Sequence, residues 1–192
     1  MGGQMYFSVS YGQARQRFLA AAGDRGARIE TLVNSAYSGA EGEELRTDVA
    51  LFGAARARSA LVLVSGTHGA EGFAGSACQL RLLRESSWPG IAIVLVHALN
   101  PFGFSHRRRV NEQNIDVNRN FVDHGRLPHR CAYFALHAAL LPADWNGPAH
   151  AVADRQLMEH VASQGIRTIQ QIITEGQYEH PDGLFYGGKA AC

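Results

Sequence analysis

Neither sign of charge dominates this sequence: 18 Lys and Arg stand against 17 Asp and Glu, a net charge of +1. That balance excludes whole-surface attraction to nucleic acid or to an anionic membrane. Cysteine is scarce and unpatterned. Cys78, Cys131 and Cys192 are odd in number and lack CxxC spacing, which fits a reducing compartment better than a disulfide framework. No apolar run approaches the ~20 residues needed to span a bilayer. The opening MGGQMYFSVSYGQARQRF has no basic stretch followed by an apolar one, so no signal peptide is expected. Repeats and low-complexity tracts are also missing. The expectation is a cytoplasmic protein with neither nucleic acid nor membrane as a partner.

What is present is an ordinary globular chain. Its 192 residues, 46% of them hydrophobic, suffice for one good-sized core, and no boundary interrupts residues 1–192. Ser10 is a fitting N-cap for a helix in which Tyr11, Ala14, Phe18 and Leu19 recur at helical spacing through Ala22. Arg28 to Val33 alternates polar and apolar residues as a strand does. The stretch Ser38-Gly-Ala-Glu-Gly-Glu43 marks a turn, and Asp48 to Phe52 supplies an antiparallel partner.

The pattern then changes. Residues 60–65 and 91–96 are nearly continuous aliphatic runs, as in strands covered on both faces, with a helix expected from about Ala74 to Arg84 between them. Strand, helix and strand at this spacing form a βαβ unit with parallel strands. A polar segment rich in Asn and Arg fills residues 100–126. Helical patterns return at 133–141, 152–163 and 167–173, before a loop-like tail from Glu175.

This order matters because loops leaving the carboxyl ends of adjacent parallel strands open onto one crevice. The first such loop is Ser65-Gly-Thr-His-Gly-Ala-Glu-Gly-Phe73, and the second begins His97-Ala-Leu-Asn-Pro-Phe-Gly103. His68 and Glu71 pair a neutral imidazole with a carboxylate, two donors that one zinc ion accepts. Gly66, Gly69 and Gly72 let the backbone bend around such an ion. A glycine-rich turn with an incidental His and Glu is the other way to read HxxE.

Further on, residues 106–121 hold four arginines and four asparagines. Hydrolysing an acyl bond calls for charge stabilisation at the carbonyl oxygen, and Arg109 is suited to it. Capturing a substrate carboxylate calls for a bidentate guanidinium beside an orienting amide, as Arg119 and Asn118 offer. A solvated polar loop is the alternative. The triplet Arg107-Arg-Arg109 lacks the interleaved aromatics of a nucleic-acid surface.

The motifs GTHGAEGFAGSA, HALNPFGF and RVNEQNIDVNRNF, in this order, resemble the zinc carboxypeptidase superfamily, and more closely its bacterial branch DUF2817. The likeness runs from about Tyr6 to the closing GQYEHPDGLFYGG. It implies an α/β fold of the phosphorylase/hydrolase-like kind: a mixed, mainly parallel sheet with helices on both faces. It also implies zinc as cofactor, held in part by His68 and Glu71, with Arg109 polarising the carbonyl and Asn118 with Arg119 binding a terminal carboxylate. Arg108 is the alternative to Arg109. The substrate is then a small peptide, or an N-acyl amino acid if the chemistry follows the aspartoacylase and desuccinylase type.

The same resemblance calls for a third zinc-binding histidine and a general-base glutamate. Neither falls into place: His124 and His180 are the nearest candidates for the ligand, and Glu175 for the base. The expectation is that the domain is cut short after Cys192, and a non-catalytic remnant is the rival to an active hydrolase.

Overall fold

The computed structural model describes residues 5–54, 56–85, 89–129 and 131–192. Ser10 does cap the first helix, α1 (Tyr11–Asp24), its Oγ accepting the Gln13 amide at 3.3 Å. This satisfies one of the orphan amides that every helix start leaves open. The hairpin is longer than the alternation suggested. Strand β1 spans Arg28–Ser38 and β2 spans Glu44–Gly53, paired antiparallel with a register shift between Asn34 and Ser38. The chain continues through β3 (Ala60–Val64), α2 (Gly72–Glu85), β4 (Ala92–His97) and the short α3 (Pro101–His106). These belong to the first of two compact units, Met1–Glu112 and Gln113–Cys192.

In the first unit the sheet order is β1-β2-β4-β3. β4 pairs parallel with β3, joined through α2 as expected, and antiparallel with β2. The result is a mixed α/β fold. One expectation needs correcting: β3 is not covered on both faces. It is an edge strand, with Val62 and Val64 about half exposed, whereas alternate residues of β4 are buried. A continuous β-branched run records strand propensity, and it does not by itself report how many faces are packed.

Helices α1 and α2 pack against each other over the sheet. Phe18, Ala21 and Ala22 from α1 meet Ala77, Leu80 and Leu83 from α2 above Ala50, Ile93 and Leu95 of the strands. Two polar ties accompany this apolar cluster. Tyr11 Oη donates to the Arg46 carbonyl at 2.7 Å and accepts its amide at 2.8 Å. Arg15 grips the fully buried Asp48 through Nε at 2.6 Å and Nη2 at 3.0 Å, and Thr31 donates to the same carboxylate at 2.6 Å. The carboxylate is thus compensated where an unpaired charge would be costly.

The second unit is built on helices. The single turn α4 (Val117–Asn120) precedes α5 (Cys131–Leu140), α6 (Pro148–Gln164) and α7 (Ile166–Thr174), and the last three match the periodic segments read from sequence. Tyr133, Leu136, Ala139, Ala153 and Ile169 are the buried apolar residues of those three helices. Among the described residues, no helix is long and apolar enough to cross a membrane.

His97, at the end of β4, is fully buried and stacks on Phe18 with ring centroids 4.5 Å apart. Loss of hydration lowers its pKa from the ordinary 6.5 to about 4, so the ring is neutral in the folded protein. The unfolded chain therefore takes up this proton more readily than the folded one. Stability is complete above about pH 6.5 and drains as pH falls towards 4, by roughly 3 kcal/mol if the whole shift is expressed. Denaturant unfolding across that range should show this slope, and His97→Leu should flatten it.

Candidate metal centre

The loop after β3 is shaped by what its glycines leave out. Gly66 sits at φ +70°, a left-handed conformation that side chains resist. Gly69 is pressed onto the backbone of α3: a Cβ there would lie 1.8 Å from the Gly103 carbonyl carbon. Its amide donates to the Arg108 carbonyl at 3.0 Å. The two loops that the topology sends to one edge are therefore in direct contact. Their backbones are also bonded, with the amides of Leu99 and Asn100 donating to the carbonyls of Ser65 and Gly66, both at 2.9 Å. Gly72 lies flat against the Phe104 ring, where a Cβ would come within 2.7 Å.

The second loop is not the open polar coil that its composition suggested. Asn100 caps α3 by accepting the Gly103 amide at 2.8 Å, and Pro101 occupies the first turn. Arg107, at φ +54°, ends the helix. The chain thus returns towards the first loop and brings Arg109 with it.

His68 is buried, and its Nδ1 lies 3.4 Å from Glu71 Oε2. Glu71 is largely exposed at the start of α2, where its carbonyl accepts the amides of Ala74 and Gly75 at 3.1 Å. Anionic side chains are favoured there, because unpaired amides give a helix start positive character. Arg109 Nη1 stands 4.0 Å from Glu71 Oε1. Structure thus brings together three residues singled out from sequence: His68, Glu71 and Arg109.

The donor pair fits a metal in chemistry and in spacing. Zinc takes imidazole nitrogen and carboxylate oxygen at about 2.0–2.2 Å, and two such donors on a tetrahedral ion lie about 3.3–3.5 Å apart. Within the first unit, among its described residues, no further His, Cys, Asp or Glu joins them. His97 does not: its Nε2 is 3.0 Å from Ser76 Oγ inside the core.

Asn118 and Arg119 lie in the second unit, on α4. Asp116 caps this turn by accepting the Asn118 amide at 3.0 Å. Asn118 is exposed. Arg119 is partly committed already: its Nε donates to the Thr174 carbonyl at 2.9 Å, and its guanidinium lies 5.9 Å from the Phe185 ring centre. The neighbouring Asn120 is a scaffold residue, bonding the carbonyls of Gly187 and Ala190 at 2.8 Å and the Cys192 amide at 3.0 Å.

The other candidates are also placed. His124 Nε2 is 3.0 Å from the Asn120 carbonyl, and Glu175 accepts from Gln171 at 2.7 Å just after α7. His180 stacks on His137 beside Asp182, with ring centroids 4.0 Å apart. Sequence reading missed that last grouping. His137 comes 43 positions before His180, inside an apolar helix that offers no ligand spacing to notice.

The first unit is a mixed α/β fold with a His–Glu pair in the loop after a parallel strand. The chain belongs to the DUF2817 family, described as proteins of unknown function, which matches residues 7–192. No curated protein matches the sequence. Among solved structures, similarity is found to thrombin activatable fibrinolysis inhibitor at 16% identity and a TM-score of 0.39, covering 59% of this chain and 34% of that one. A carboxypeptidase candidate from Burkholderia mallei is similar at 19% identity and a TM-score of 0.41, covering 91% of this chain and 52% of that one. This chain thus spans about a third and about half of those proteins, and at such scores neither superposition carries an argument about chemistry.

The glycine contacts make a clear pair of expectations. Gly69→Ala forces Cβ into the Gly103 backbone and should cost at least about 2 kcal/mol. Gly23→Ala, in α1 with nothing within 4 Å of the new Cβ, should stabilise by about 0.5–1 kcal/mol. Denaturant midpoints of the two variants should move in opposite directions.

Proposed function

We propose that this chain comes from a zinc-dependent hydrolase of the metallocarboxypeptidase type, which cleaves an amide bond next to a free carboxylate. The observation that supports it is the 3.4 Å pairing of His68 Nδ1 with Glu71 Oε2, with Arg109 4.0 Å from the same carboxylate. A metal held there would supply Lewis-acid polarisation of a carbonyl and a water made acidic enough to attack near neutral pH.

The chain's own residues supply the rest. His68, buried and fixed by the loop around it, presents a nitrogen donor at a defined position. Glu71 contributes the anionic donor from a helix start, where its charge is stabilised. Arg109, partly exposed, directs a permanent positive charge to the place where negative charge develops on a carbonyl oxygen during acyl transfer. Asn118 and Arg119 are assigned to the substrate's terminal carboxylate. The bond to Thr174 fixes the Arg119 side chain and thereby limits the freedom lost when an anion binds.

The same donors would serve an N-acyl amino acid amidohydrolase. A panel of C-terminal peptide substrates and small N-acyl amino acids separates the two activities. On a longer relative carrying these motifs, His68→Ala is expected to lose bound zinc together with activity; unchanged zinc content would remove His68 from the ligand set. Arg109→Ala should lower kcat by about 10²–10³ with metal content intact. Unaltered kcat would reject its role.

A further inference from the structure

The second unit contains a cluster that the proposed hydrolytic chemistry does not use. His137 lies on α5, while His180 and Asp182 lie in the turn after α7. One ligand atom from each falls within 4.8 Å of the other two. His137 Nε2 is 3.6 Å from Asp182 Oδ2. Among the described residues, His180 Nε2 is buried with no hydrogen-bond partner, as is His137 Nδ1 on the opposite side of its ring from the nitrogen that faces Asp182. Buried polar atoms are nearly always satisfied in folded proteins, so the His180 nitrogen calls for a partner.

The backbone around the cluster is firmly held. Gln177, fully buried, accepts the His180 amide at 2.8 Å through Oε1 and donates to the His180 carbonyl at 2.7 Å through Nε2. Asn114 Nδ2 donates to the carbonyls of Pro181 and Gly183 at 2.8 and 3.1 Å. Tyr133 Oη, from the helix that carries His137, accepts the Leu184 amide at 2.7 Å. Helix and turn are thus joined by side chains that contribute no donor to the cluster. Such outer support is what holds metal ligands in place.

We propose that His137, His180 and Asp182 form a binding site for a divalent transition-metal ion of the zinc, cobalt or nickel class. Two imidazoles and one carboxylate select these ions over calcium and magnesium, which prefer all-oxygen sets. A cavity of about 280 Å³ lined by His129, Cys131, Phe134, Glu179 and His180 borders the cluster on the His180 side. One movement is required. The rings are stacked 4.0 Å apart at 21°, and imidazole lone pairs lie in the ring plane, so the rings must turn outward to meet at one ion. The cavity beside His180 and the exposed Asp182 side chain leave space for that rotation.

Titration of the 192-residue chain with Co²⁺, read by visible absorption, tests the site. The measurement uses a His68→Ala/Glu71→Ala background, so that the other candidate donors do not contribute. One equivalent of Co²⁺ should remain bound in that background. His180→Gln and Asp182→Asn should each weaken it by about ten-fold or more. Circular dichroism confirms folding, and Asp182→Asn alters a side chain that is 78% exposed, so it reads binding without disturbing packing. Absence of Co²⁺ binding in the background, or undiminished affinity in either single variant, overturns the site and leaves the cluster a stacked histidine pair beside an acid.

Discussion

The first unit depends on an approach between two backbones with no side chain between them. At Gly69 the loop that follows β3 lies directly on Gly103 in α3, closer than any Cβ would allow. The contact is reinforced by the amide of Gly69 on the Arg108 carbonyl and by the amides of Leu99 and Asn100 on the preceding loop. His68 and Glu71 sit inside this clamped turn, and Arg109 leaves it one residue after the carbonyl that Gly69 grips. The geometry of the candidate metal centre is thus a consequence of main-chain packing, which side-chain chemistry then uses.

A second constraint lies beneath the first. The sheet ends near the clamp in buried polar residues: Asp48 on β2 opposite His97 on β4. Asp48 is held by Arg15 and Thr31, and His97 is kept neutral by its apolar surroundings, Phe18 included. Burying such groups is unfavourable unless each is matched. The matching side chain Arg15 comes from α1, so the pairing orients that helix on the sheet more narrowly than apolar contact would.

Much of this was legible beforehand, and the failures have identifiable causes. Helix α1 with its Ser10 cap, the hairpin, the βαβ unit and helices α5 to α7 follow from local periodicity and end signals. Helix α3 was hidden because Pro101 and Gly103 look like loop residues. Their helical role depends on Asn100 capping the turn and Gly103 meeting Gly69, neither of which is a local pattern. Strand β3 looked central because Val62 and Val64 are apolar, yet exposure is decided by what lies alongside. In the second unit, Asn114, Asn120 and Gln177 are spent on backbone carbonyls and amides. Long-range satisfaction of main-chain groups leaves no short-range signature.

The sequence by itself determined the local elements, the family and the chemical types available in the loop His68-Gly-Ala-Glu71, because periodicity, caps and short spacings are properties of neighbouring residues. Only the tertiary structure decided that Arg109 meets that loop, that Arg119 is anchored on Thr174, and that His137, His180 and Asp182 share one corner of the second unit. Those juxtapositions join residues 38 to 55 positions apart, or bind a turn to a helix formed well before it. They exist only once backbone packing and buried hydrogen bonds have brought the segments together.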